Sequence, residues 1–102
     1  MKPRYRSLIE FTVKPGDEQS FLEAFRAAGM LTRPNSIEGY VDAELVRNGR
    51  TFAVFGWWET EEAYARWQTV AQQEAPPDAL KALADAIETT RRGRLFELVS
   101  HD

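Results

Sequence analysis

Hydrophobic and polar positions change period several times along the chain, and each change marks an element. From Tyr5 to Val13, β-branched and aromatic residues roughly alternate with polar ones, the two-residue period of a strand. Lys14-Pro15-Gly16-Asp17 is turn chemistry ending in a candidate N-cap. Phe21, Leu22, Phe25 and Ala28 then recur at helical spacing, which predicts a helix over about 18–31, followed by loop at Pro34-Asn35-Ser36. A second strand is expected over about 40–47 and a third from Thr51 to Glu59. Between them stands Asn48-Gly49, a hairpin signal, because both residues tolerate the positive φ of a type I′ turn. Thr60 is placed to cap a second helix, with Glu59, Glu61 and Glu62 near its N-terminal dipole. In that helix Ala63, Tyr64, Trp67, Val70 and Ala71 form one stripe, and Pro76-Pro77 ends it. Asp78 reads as the cap of a further helical stretch with Leu80, Leu83, Ala84 and Ile87 on one side. Gly93 breaks that stretch, and a last strand is expected from Arg94 to Val99.

The order β-α-β-β-α-(α)-β predicts an α+β fold of the ferredoxin-like βαββαβ kind, a four-stranded antiparallel sheet with helices on one face. The third strand adds a constraint, because it is apolar on both alternating faces. Phe52, Val54 and Trp58 make one set; Ala53, Phe55 and Trp57 make the other. Helices cover only one of these faces, and soluble monomers avoid exposing aromatic patches of several hundred Å². A second copy of the chain, related by a two-fold axis, is the simplest cover. The expectation is a homodimer packed sheet against sheet, a dimeric α/β barrel, enclosing an apolar cavity with some polar lining. Alternation alone leaves open which face meets the partner.

Length and composition narrow the function classes. The 102 residues make one domain, 1–102, with 43% hydrophobic and 28% charged residues, an ordinary balance for a folded chain. With 13 Lys and Arg against 16 Asp and Glu, the net charge is −3, so no basic field draws nucleic acid or an anionic membrane. The chain has no cysteine, which removes disulfides, thiolate metal sites and cysteine nucleophiles. The single histidine, His101, removes histidine triads and multi-histidine metal centres. No run approaches the ~20 apolar residues of a membrane span. Glu10 interrupts the apolar run after the basic start, so no export signal is read and a cytoplasmic protein is expected. The glycines are scattered rather than gathered in a phosphate loop, and no cofactor motif is present, so none is expected.

The stretch Phe55-Gly56-Trp57-Trp58-Glu59-Thr60-Glu61-Glu62-Ala63-Tyr64-Ala65-Arg66-Trp67 resembles the strand-to-helix segment of antibiotic biosynthesis monooxygenase domains. Val13-Lys14-Pro15-Gly16 with Phe21 and Phe25 resembles their opening, and Pro34 with Ile37-Glu38-Gly39-Tyr40 their entry to the second strand. The resemblance runs in register over roughly 6–75 and implies a dimeric α/β barrel. Cofactor-free members oxidise aromatic phenols to quinones, and a Trp and a Tyr of a Trp-Glu-Ser-Glu-x-Ala-Tyr block line their cavity. Trp58 and Tyr64 match these two, whereas Val54 stands where those members carry an Asn. A heme-degrading branch uses a Trp that Trp67 matches, but Pro77 stands where its axial histidine belongs.

The resemblance therefore implies a small monooxygenase, independent of cofactors, acting on an aromatic or quinol-type molecule. Tyr64 and Trp58 are the candidate catalytic residues and Trp67 a candidate substrate-binding residue. The three should cluster round one cavity per subunit. Each also has a plainer reading: Trp67 packs helix on sheet, Tyr64 bonds backbone, and Trp58 fills core. On the first strand Arg6 and Glu10 share the face with Leu8 and Thr12. If that face meets the partner, they are polar substrate-binding groups of the cavity, or else an interfacial ion pair. Arg91-Arg92-Gly93-Arg94 reads as a solvated basic turn. The competing class is a dimer of the same fold that binds a ligand, or only supports structure, without catalysis.

Overall fold

A computed structural model describes residues 3–100. His101 lies outside the described residues. The chain runs β1 (Tyr5–Val13), α1 (Glu18–Ala27), a 3-10 turn (Arg33–Ser36), β2 (Tyr40–Asn48), β3 (Thr51–Trp58), α2 (Glu61–Glu74), α3 (Pro77–Ala86) and β4 (Ile87–Glu97). The four strands form one antiparallel sheet in the order β2-β3-β1-β4, the ferredoxin-like arrangement.

Alternation along β1 and β3 is in register across the pair. Ser7, Ile9 and Phe11 stand opposite Gly56, Val54 and Phe52 on one face; Arg6, Leu8 and Glu10 stand opposite Trp57, Phe55 and Ala53 on the other. The first face is the one the helices cover. Phe52 and Trp58 are buried there to 1% exposure. Phe21 stacks against Phe25 at 5.8 Å between ring centroids and tilts onto Phe52 at 4.7 Å, joining α1 to the sheet. Val13, Ala28, Ala75, Ala79, Leu83 and Ala86 complete this core.

No described element covers the second face. Phe55 and Trp57 are only half-buried there, Val46 is 42% exposed and Phe96 50% exposed. Charge is divided across it. Arg6, Arg91 and Arg94 outnumber Glu10 on the β1–β4 half, which is net positive, and Asp42 and Glu44 lie on the β2 half.

Several boundaries differ from expectation, each for a local reason. The first helix stops at Ala27, well short of 31, and the chain closes in turns and a 3-10 turn that Pro34 begins from within. Asp17 stands at the N-cap of α1 without a side-chain cap bond; its carbonyl accepts from the Phe21 N–H at 2.9 Å. Thr60 does cap α2, its hydroxyl accepting from the Ala63 N–H at 3.1 Å. Asp78 is not a cap. It sits in the first turn of α3, which Pro77 opens because a proline at the first helical position sacrifices no bonded N–H. The hairpin loop is Gly49-Arg50, with Asn48 still paired to Thr51. Only Gly49 has positive φ (61°), the pattern of a type II′ rather than a type I′ turn. The largest difference is β4, which begins at Ile87 rather than Arg94 and ends at Glu97. Ile87, read as helical, is its first residue: β-branched Ile87, Thr89 and Thr90 favour the strand that the Ala86 terminus of α3 makes available. Gly93 lies inside the strand, and the basic cluster around it is strand rather than turn.

Candidate active site

The sequence places Tyr64, Trp67, Gln68, Ala71 and Gln72 at i, i+3, i+4, i+7 and i+8 of α2, so they share one face. That face looks down on the sheet without closing onto it. Ala63 is the one fully buried residue of α2, and it anchors the first turn. There Gly39, with φ of 94°, brings the entry of β2 so close that a Cβ at 39 would lie 2.9 Å from the Ala63 Cβ. Beyond this anchor the helix stands off, and the space beneath it is a cavity of about 460 Å³.

The cavity floor is the helix-side face of the sheet, including Ile9, Phe11, Val54 and Trp58; its roof is Tyr64, Trp67 and Ala71. Phe25, Met30 and Leu83 close the far side. Gln68, Gln72 and Thr90 both line it and reach solvent, which sets the rim between α2 and the β4 edge. None of the lining residues is charged. The volume falls in the range of small-molecule sites, and the character matches: mostly apolar wall with a few polar groups.

Trp58 is the best-held group of the site. Its indole N–H donates to the buried Ser7 Oγ at 2.9 Å. Tyr40 and Tyr64 meet its ring edge-on at 5.4 and 5.6 Å. Gly56 makes the bond across the strands possible, because a Cβ there would lie 2.6 Å from both Ser7 Oγ and Trp58 Nε1. Tyr64 accepts a hydrogen bond from Gln68 Nε2 at 3.3 Å. Burial pushes its phenol above the ordinary value of 10.0, so it holds its proton through the neutral range. Trp67 is half-buried against the cluster of Ile37, Trp58 and Ala63.

Trp58, Tyr64 and Trp67 are thus brought together on one cavity. Arg6 and Glu10 are not among its lining residues. Two-residue alternation sends them to the uncovered side of the sheet, and the cavity forms within one protomer, between sheet and helices, rather than on that side. Glu10 accepts there from Arg91 at 3.4 Å and Arg94 at 3.5 Å, the ion-pair alternative in a form internal to the chain. Pro77, at the position of the heme-branch histidine, is the first residue of α3. Val54 does line the cavity, and its apolar side chain offers no hydrogen bond there. Sequence reasoning missed Ser7, Gln68, Gln72, Thr90 and Gly93. The glutamines carried a signal: 64, 68 and 72 repeat at i+4 on the face of the aromatic stripe.

The model of the antibiotic biosynthesis monooxygenase family matches residues 4–75. This chain belongs to that family. The comparison with solved structures extends the similarity of fold over the whole described chain. A dimeric ferredoxin-like protein from an uncultured marine organism superimposes with a TM-score of 0.79 at 13% identity, covering 99% of this chain and 92% of that one. A conserved protein from Methanosarcina mazei gives 0.73 at 14% identity, over 94% and 93%. SnoaB, a cofactor-independent oxygenase from Streptomyces nogalater, gives 0.68 at 21% identity, over 97% and 96%. No curated protein matches by sequence.

Proposed function

We infer that this family member is a small cofactor-independent monooxygenase that takes an uncharged aromatic or quinol-type molecule into the cavity beneath α2. The observation that carries the reading is the cavity itself: about 460 Å³, walled by Trp58, Tyr64 and Trp67, and free of charged side chains. A flat aromatic ligand gains most from such walls, through apolar burial and ring contacts. The chemistry is the oxidation of a phenol by O₂ to a quinone and water. One oxygen atom enters the ring, the other leaves as water, and the substrate supplies all four electrons. Side chains then have three tasks: to exclude water, to stack the ring, and to hold a substrate oxygen through the Tyr64 hydroxyl. SnoaB, with the same fold, is a cofactor-independent oxygenase.

The active unit we propose is a homodimer packed through the uncovered sheet face. Half-buried Phe55 and Trp57 and exposed Phe96 ask for a cover. A two-fold axis parallel to the strands lays the acidic β2 half of one protomer on the basic β4 half of its partner, so the divided charge becomes complementary. The structural neighbour from the marine organism is dimeric.

The test is oxygen uptake with a panel of quinols and polycyclic phenols, comparing the wild type with Tyr64→Phe. Loss of an orienting hydrogen bond worth about 1–3 kcal/mol slows turnover by about 5- to 150-fold with little change in stability. Val54 favours a second reading, because it offers no hydrogen bond where catalytic relatives have an Asn. Saturable binding without oxygen uptake across the panel would support that binding-only dimer. Uptake equal in the two proteins removes Tyr64 from the chemistry.

A further inference from the structure

The geometry points to Gln68 and Gly93 as the residues that seat the Tyr64 hydroxyl and turn its proton into the cavity, making Tyr64 a hydrogen-bond donor to an oxygen of the ligand. This rests on the reading of the cavity as a ligand site, and it adds two positioning residues and a direction for the hydrogen bond.

A phenol oxygen has one proton and acceptor capacity. Gln68, one turn further along α2, donates from Nε2 to Tyr64 Oη at 3.3 Å, which uses the acceptor side. Among the described residues, no hydrogen bond uses the hydroxyl's own proton, and both Tyr64 and Gln68 line the cavity. A half-buried donor without a protein acceptor is left for whatever occupies that space. Burial keeps the proton on the oxygen, so the group donates and does not act as a base.

Gly93 supplies the room. A Cβ at 93 would lie 2.8 Å from Tyr64 Oη, while the next atoms, Ile9 Cβ and the Leu8 carbonyl, are 3.9 Å away. The space left by the missing side chain is therefore the space the hydroxyl approaches. β4 is irregular at this point: Leu8 pairs with Arg94 and Glu10 with Arg91, so Ile9 faces both Arg92 and Gly93. One extra residue in the edge strand is a β-bulge, a device that re-aims the strand beside it. Bulge, glycine and glutamine converge on one oxygen atom.

The test compares two probes of similar shape by quenching of tryptophan fluorescence: 1,4-naphthoquinone, whose carbonyls only accept, and naphthalene, which cannot hydrogen-bond. The ratio of their affinities isolates the hydrogen bond. Tyr64→Phe and Gln68→Glu should each cut the wild-type preference for the quinone by about fivefold, the second because a carboxylate only accepts and captures the phenol proton. Gln68→Met removes the donor that turns the proton inward without competing for that proton, so it should lose a smaller part of the preference, about twofold, and a wild-type ratio in it overturns the part assigned to Gln68. A merely structural Gln68 would make the two substitutions alike, and an unchanged ratio in Gln68→Glu overturns the proposal. Gly93→Ala should lower the melting temperature of the wild type and leave that of Tyr64→Phe unchanged or slightly raised, since only the hydroxyl is crowded. Equal losses in both backgrounds overturn the part assigned to Gly93. Oxygen uptake plays no role here, so a failed activity screen leaves these outcomes readable. Failure of both probes to bind the wild type sinks the proposal together with the ligand reading of the cavity.

Discussion

Replacing Gly56 by alanine should destabilise the protein, against the direction that strand propensity alone predicts. Glycine inside a strand costs about 0.5–1 kcal/mol relative to alanine, so Gly56→Ala would ordinarily help. Here the added methyl falls 2.6 Å from Ser7 Oγ and 2.6 Å from Trp58 Nε1, between the two ends of a hydrogen bond that is itself 2.9 Å long. Neither end is a flexible tip. Ser7 is buried on β1, and Trp58 is 1% exposed between two tyrosine rings. Breaking the bond leaves a buried indole N–H unpaired, at about 1–3 kcal/mol. Displacing the packed ring adds about 1–3 kcal/mol more, the usual cost of overpacking. Together these come to about 4 kcal/mol at mid-range, of which the propensity gain offsets about 1, for a net loss of about 3 kcal/mol, or roughly 12–24 °C in melting temperature for a domain of this size. Thermal unfolding by circular dichroism measures the shift, and the near-ultraviolet signal reports whether Trp58 has moved. Ser7→Ala removes one of the two colliding atoms, so the double variant should lose less than the sum of the singles. A Gly56→Ala protein that melts at or above the wild-type temperature would show that Trp58 is not held over Gly56, and the description of the cavity floor would be wrong.

Trp57→Glu places a charge in the proposed sheet-to-sheet interface, so sedimentation should show a wild-type dimer and a monomeric or unfolded variant; a wild type that runs as a monomer at micromolar concentration refutes the dimer. Thr60→Ala leaves the Ala63 N–H without its cap and should cost about 1 kcal/mol, whereas Thr60→Ser should keep most of it; equal melting temperatures for all three proteins would contradict the capping bond. Burial raises the phenols of Tyr40 and Tyr64 above 10.0. Above that pH the unfolded chain loses these protons first, so the folded state binds more of them and its stability falls as pH rises, while below pH 10 the two states hold them equally. Denaturant titrations from pH 8 to 11 should show that decline, and Tyr64→Phe should flatten it; a decline of unchanged slope in the variant removes Tyr64 as a contributor.

The order of elements was legible because each carries its own pattern: a period of two in β1, a continuous apolar run in β3, a period of 3.6 in α1 and α2, with Pro76-Pro77 and Asn48-Gly49 as punctuation. The aromatic face of α2 was legible for the same reason, since residues three and four apart must share a side of the helix. So was the problem posed by β3, a strand apolar on both faces. Which face the helices take was not legible, because alternation is unchanged when the two faces are exchanged; only the packing of Phe21 on Phe52 decides it. That choice sent Arg6 and Glu10 away from the cavity and put Ser7 beneath Trp58. The start of β4 was hidden because Ile87 fits the stripe of α3 as well as the first step of a strand, and pairing with Val13 settles it. Gln68 and Gln72 share the face of the aromatic stripe, but as polar residues they and Thr90 are not marked by hydropathy as part of a cavity. They become site residues because α2, fully buried only at Ala63, leaves between itself and the sheet a space whose rim they form. Periodicity reports which way a side chain points; the distance between two packed elements, and so the existence of a cavity, is a property of the assembled fold.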